Sequence, residues 1–459
     1  MKLNKLAVIG SVFLCLAFSL AGTFVSVHRF YQFDSFYYDF GIFDQAIWRV
    51  SQFSAPIIDH YVVGGSWIFG DHFSPALMLL APIYWATHAQ EAIFFVQAAF
   101  AALAGFILYK TAYALTSNNI VSLTVQVVFY LFTGLQNAVI TDIHELTFAT
   151  LPISVVLYSL VTRNKHMYIF SSLFLLLFKE STFLVICGIH FYTWLKVKEW
   201  RNTAILLSTL SIIYAYFVIT FVIPAFSNYY QYNILSGHTI RSAISSLYDR
   251  PIKVKTVVDS LTSFSFAAIF TPALWPTYLV HYWARFLSTA GSRWEIGLHY
   301  NAEIAPIYAF SLMLILHKIT INKKIATQLV VALVVVAIAL YQNYVRLKMP
   351  FLMATNPALY LASDRTVEIR KYLKQMPSDQ IIMAPNHLAA HLTHKKVLLA
   401  RDKYKDYDPE YIIFDTNPDQ SGNNWYGLKD KEQYIKNVSA DFDYMLIQSI
   451  SSYQIYKKN

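Results

Sequence analysis

The chain has 459 residues, of which 56% are hydrophobic, 17% aromatic and only 14% charged, with a mean hydropathy of +0.41. Soluble domains carry roughly 25% charged residues, so this composition excludes an ordinary soluble protein and points to a polytopic membrane protein. The net charge of +9 is not a nucleic-acid signature, because most of it comes from short basic loops between apolar runs, and two cysteines are too few for a disulfide framework.

In chain order, the first element is LAVIGSVFLCLAFSLAGTFVSV, behind Lys2 and Lys5. A bilayer needs roughly 20 apolar residues, so this run is long for a cleavable signal and reads as an uncleaved anchor. Further apolar segments fall near 91–114, 120–138, 147–162, 166–178, 181–195, 203–225, 263–274, 277–289, 302–318 and 325–344, giving about eleven transmembrane helices. Pro272 and Pro276 interrupt 263–289, which reads equally as a re-entrant pair. With the N-terminus cytoplasmic, Lys110, Arg163, Lys165, Lys196, Lys198, Arg201, Lys318, Lys323 and Lys324 all fall on the inner side. Glu199 is then the one acidic residue before position 350 on that side, the asymmetry expected of positive-inside topology.

The segment 29–90 is a large first external loop. Residues 37–53 and 76–89 read as two juxtamembrane helices lying at the interface. The loop carries YYDFGIFDQAIW and GDHFSP, which set Asp39, Asp44, Asp71 and His72 at a membrane face, where carboxylates are costly and usually functional. Asp39 suits a general base, or a ligand of a divalent cation doing the same task; it also suits a helix N-cap. Asp44 is a second catalytic candidate, otherwise a solvated residue. His72 could bond a sugar or phosphate oxygen. Asp59 and His60 share the loop without defined geometry. Further on, TDIHELTF brings Asp142, His144 and Glu145 to a membrane lip, and FKES brings Lys179 and Glu180, either a structural ion pair or a phosphate-binding lysine. RWEIGLHYNAEIAP supplies Arg293, His299 and Tyr300, suited to a lipid-phosphate head or to interfacial anchoring.

From about 346 the long apolar runs stop. DRTVEIRKYLKQM and KDKEQYIKNV read as helices, and IIMAP, KVLLA, YIIFD and DYMLIQ as short buried strands. The expectation is an all-α polytopic domain over 1–345 followed by a small extracytoplasmic α/β domain over 346–459.

The ordered set YYDFGIFDQAIW, GDHFSP, IHELTF, KES and HYNAEIAP, with NHLAAHLTHKKVLLA and DPEYIIFDT in the tail, resembles an uncharacterised family of predicted bacterial membrane proteins with a domain of unknown function. That family in turn resembles the GT-C superfamily of membrane glycosyltransferases. The resemblance implies an acid in the first external loop, at Asp39, a His-Pro element at His72 and Pro75, and a polyprenyl-phosphate sugar donor. The paired Asp-Glu of the protein O-mannosyltransferases is absent, since Phe40 follows Asp39. The expected activity is sugar transfer from a lipid-linked donor, with Asp39 and Asp44 catalytic. His72, His144, Glu145, Lys179, Glu180, Arg293, His299 and Tyr300 would bind substrate. The rival readings are a transporter or flippase of lipid-linked sugars, marked by mid-span charges and inverted repeats, and a non-catalytic envelope scaffold. No nucleic-acid partner is expected; oligomeric state, sugar and acceptor are not legible.

Overall fold

The computed structural model describes residues 5–59, 65–226, 239–361, 363–418 and 420–459; Lys2 and His60 lie outside them. The chain is mostly helical, with a small sheet near its C-terminus. Among the described residues five helices are long and apolar enough to cross a bilayer: Lys5–Tyr31, Ala92–Thr116, Glu145–Thr162, Lys198–Phe226 and Ile325–Arg346. Two bent pairs, Asn119–Leu131 with Thr133–Ile140 and Gly291–Asn301 with Ala305–Thr320, raise the number to seven if each is one span. The first pair breaks at Phe132, whose extended backbone interrupts the helix.

The helices therefore do not supply the eleven expected spans. Lys165–Leu175 and Thr182–Lys196 have 11 and 15 residues, short of a bilayer at roughly 1.5 Å per residue. Segment 263–274 forms no long helix at all: Ala267–Phe270 and Pro272–Leu274 are single 3-10 turns, because Pro272 cannot donate into a continuing helix. The helix Trp275–Phe286 follows them.

The first of the two elements expected at the interface is a wide π-type turn, Tyr37–Gly41, running into the helix Ile42–Ser51. Gly41 has a steric reason to be glycine, since a Cβ there would stand 2.5 Å from the Tyr37 ring. The second is not one helix but two short ones, Pro75–Met78 and Ile83–Ala86, separated just before Pro82. Between the two elements, strands β1 (Ile57–Ile58) and β2 (Ser66–Trp67) pair antiparallel.

The C-terminal sheet contains β3 (Ile381–Ala384), β4 (Lys396–Leu399), β5 (Tyr411–Asp415), β6 (Tyr444–Ile450) and β7 (Tyr453–Lys458), in the order β4-β3-β5-β7-β6. β3 runs parallel to both β4 and β5, whereas β7 is antiparallel to β5 and β6. The four expected strands and the two expected helices, Asp364–Gln375 and Lys431–Ser439, are present. Strand β7 and the short helix Asn386–Ala389 are additional. Apolar burial runs without a break from the helical part into the region of this sheet: Phe30, Phe33 and Phe40 share one core with Leu388, Ala390, Leu392 and Tyr453.

Candidate functional site

Helix ends build the site. The chain leaves Lys5–Tyr31 and turns through Tyr37–Gly41. It returns to the same end of the bundle at Asp71 and His72, at His144 and Glu145 where Glu145–Thr162 begins, at Lys179 between two short helices, and at 293–300. The result is a cavity of about 150 Å³ lined by Tyr38, Asp39, Ile42, Phe43, Asp71, His72, His144, Glu145, Lys179, Arg293, His299 and Tyr300. Seven of the residues expected to bind substrate therefore share one space with Asp39.

Asp39 is not a helix N-cap. It sits inside the turn, where its own N–H and those of Phe40 and Gly41 converge on the Phe36 carbonyl at 3.3, 2.8 and 3.2 Å. Its carboxylate takes no hydrogen bond from a described side chain. Burial raises its pKa to about 6, helped by the carboxylates of Asp71 and Glu145 and opposed by Lys179. A carboxylate ionised at neutral pH, yet basic enough to take a proton, is what a general base requires. Behind it, burial and then the Asp39 charge lift Asp142 to about 8 against the pull of Arg29, and Asp142 accepts the Phe36 N–H at 3.3 Å.

Glu180 does not line the cavity. It braces His72 instead, its two oxygens accepting from His72 Nδ1 at 2.9 Å and from the Phe73 N–H at 3.0 Å. Burial and Lys179 oppose protonation of His72, but Glu180 and Asp71 outweigh them, and its pKa lies above the ordinary imidazole value. Lys179 makes a close ion pair with Glu145. Glu145 is the first residue of its helix, where an acid is favoured by the helix dipole. His144 stacks on His299 with ring centroids 3.4 Å apart. Burial drives the His144 pKa down to about 3 despite the nearby Glu145, so that ring is neutral. Among the described residues the buried His144 Nε2 and His299 Nδ1 have no hydrogen-bond partner.

Asp44 is elsewhere. Its fully buried carboxylate accepts the hydroxyls of Tyr84 and Thr393 and the Gln90 amide, and pairs with His394 at 3.2 Å. It joins the first loop to the C-terminal domain and does not reach the cavity. Asp59 is likewise structural, held by Arg49 at 2.6 Å and by Gln45.

A second cavity of about 290 Å³ shares His72, Lys179, Arg293 and Tyr300 with the first, so the two adjoin. Its other walls are largely apolar, from Leu146, Phe183, Leu184, Ile219, Trp283 and Leu287, with His281, Arg285 and Glu303 among them. Sequence reasoning passed over His281 and Arg285. Arg285 donates to the carbonyls of Arg293 and Glu295 and to Asn301 Oδ1 at 2.8–3.0 Å, and so holds the loop that presents Arg293, His299 and Tyr300. His281 pairs with Glu303 at 2.9 Å. The available signal was an Arg and a His within an otherwise apolar run. Among the described residues no three His, Cys, Asp or Glu side chains converge to hold a metal ion, so a divalent cation at Asp39 has no donor set here.

A family model described as a predicted membrane protein (DUF2079) matches residues 29–449. No curated protein matches the sequence.

Proposed function

The chain belongs to the DUF2079 family of predicted membrane proteins, and from its two adjoining cavities we propose a membrane glycosyltransferase with a GT-C-like helical core. It would move a sugar from a polyprenyl-phosphate donor to an acceptor hydroxyl. The observation that carries this reading is the joining of a polar cavity that Asp39 lines to an apolar one, with Lys179 and Arg293 at the junction. The phosphate belongs at that junction, the first isoprene units in the apolar cavity, and the sugar beside Asp39. Asp39 takes the proton of the acceptor hydroxyl as its oxygen bonds to the anomeric carbon. The bond from that carbon to the phosphate oxygen breaks, and the departing polyprenyl phosphate keeps the electron pair, its charge met by Lys179 and Arg293. No step is routed through a metal.

The orientation proposed with it places the cavity and C-terminal domain outside and the N-terminus in the cytoplasm. It is supported by the basic residues Lys110, Arg163, Lys196, Lys318 and Lys324, which sit at the helix ends away from the cavity. Cysteines at the exposed Ser421 and Asn322 test this on intact cells: an impermeant thiol reagent should label the first and spare the second, and the reverse inverts the topology. The activity is tested with purified protein in lipid nanodiscs, a radiolabelled polyprenyl-phosphate sugar and a membrane extract as acceptor source. Failure of every such donor both to bind and to be transferred would end the proposal.

A further inference from the structure

The conspicuous tail sequence NHLAAHLTHKK plays no part in the chemistry above, yet it lies along the element that carries Asp39. The first N–H groups of a helix have no partner within it, and a cap normally supplies one from the residue just before, to the second or third helical N–H. Here that residue is Phe36, which has no side-chain acceptor. The second N–H, that of Tyr38, donates instead to Asn386 Oδ1 at 3.0 Å, across 348 residues of sequence. Asn386 is buried, and its own amide donates to the Asn423 carbonyl at 3.0 Å, which fixes its orientation. Tyr426 packs on the Tyr38 ring at 4.5 Å. The same tail segment grips the first turn of the following helix through Thr393 and His394 on Asp44 and through the Lys395 carbonyl on Gln45.

We propose that Asn386 is a positioning residue: it caps, from the C-terminal domain, the turn that presents Asp39, so that docking of this domain holds the carboxylate in the cavity. The functional half of this rests on the reading of Asp39 as base; the capping half does not.

The test uses full-length protein in nanodiscs, with Asn386→Ala, which removes the acceptor, and Asn386→Asp, which keeps it. Hydrogen–deuterium exchange followed by mass spectrometry reads the amides of 37–41 independently of activity. In Asn386→Ala these amides should exchange faster while the strands of the C-terminal sheet keep their protection. Its kcat for sugar transfer should fall roughly 10–100-fold with little change in donor KM, since a small misplacement of a reacting group costs rate rather than binding. Asn386→Asp, which keeps the acceptor but loses the amide that donates to the Asn423 carbonyl, should restore both in part. Unchanged protection of 37–41, or a wild-type kcat in Asn386→Ala, would overturn the proposal. So would a rise in exchange across the whole domain that Asn386→Asp does not repair, which would make Asn386 a folding residue only. If wild-type protein transfers no sugar, the glycosyltransferase reading fails by itself and the exchange data still decide the cap.

Discussion

Asp39 and Asp44 lie five residues apart on one continuous element and have opposite surroundings. Asp39 faces a cavity, takes no hydrogen bond from a described side chain and has a pKa raised to about 6. Asp44 is fully buried, and four side chains from the first loop and the C-terminal domain converge on it. The difference shows how a membrane protein can use one residue type for two purposes. A carboxylate left without partners keeps its reactivity, and one surrounded by donors fixes structure. The two point to different surroundings, Asp39 toward the bundle's cavity and Asp44 toward Thr393 and His394 of the C-terminal region.

The largest expected effect breaks the comparison at Asp39. Asp39→Asn keeps the shape and removes the base, so transfer should fall by about two orders of magnitude or more, measured as labelled sugar transferred per expressed protein. Near-wild-type transfer would remove Asp39 from the mechanism. Stability should not fall with it. A carboxyl whose folded pKa is raised from 3.8 to about 6 disfavours the folded state increasingly from about pH 4 to pH 6 and by a constant amount above. The Asn variant should therefore match or exceed the wild-type melting temperature at pH 7.5 and lose that advantage below pH 4. The same pKa predicts an acid limb for wild-type transfer with its midpoint near pH 6; an undiminished rate at pH 5 would be incompatible with Asp39 as base.

At the other end of the element, Asp44→Ala should act mainly on stability. It leaves the buried hydroxyl donors of Tyr84 and Thr393 unsatisfied and removes the partner of His394, at a cost of about 3 kcal/mol or more. Thermal unfolding in detergent should show it directly, whereas Asp39→Asn should not lower the transition. A stable Asp44→Ala protein that loses transfer as completely as Asp39→Asn would return Asp44 to the chemistry.

These two residues also mark what the sequence could disclose. Apolar runs located most of the helices, because a long unbroken run has few other uses, and short buried apolar runs located four of the five strands of the C-terminal sheet. The cavity residues were legible for a related reason: Asp39, His72, Glu145, Lys179 and His299 each stand where an apolar run meets polar sequence, and such positions meet at one end of a bundle. Asp44 stands in the same kind of position, but its partners Thr393 and His394 come from about 350 residues away, and pairing at that distance leaves no local pattern. Segment 263–274 failed for another reason. Its composition is apolar enough for a span, but its backbone turns at Pro272, and composition does not report backbone direction. Arg285 was hidden inside an apolar segment, and its bonds to the loop at 293–301 follow from how that segment packs.

The smallest expected effect concerns Lys179, which belongs to both kinds of region, since it lines both cavities and also pairs with Glu145. Lys179→Ala alone is ambiguous, because it removes a phosphate contact and also leaves Glu145 buried without its cation, which costs stability. The double variant Lys179→Met/Glu145→Gln separates the two effects, since it removes both charges and keeps the volumes. If Lys179 holds the donor phosphate, the double variant should melt near the wild-type temperature while its donor KM rises about tenfold, with kcat changing less, because the phosphate is held in the ground state as well as the transition state. A double variant with wild-type KM would make the pair purely structural, like Asp44, and leave Arg293 as the cation that meets the lipid phosphate.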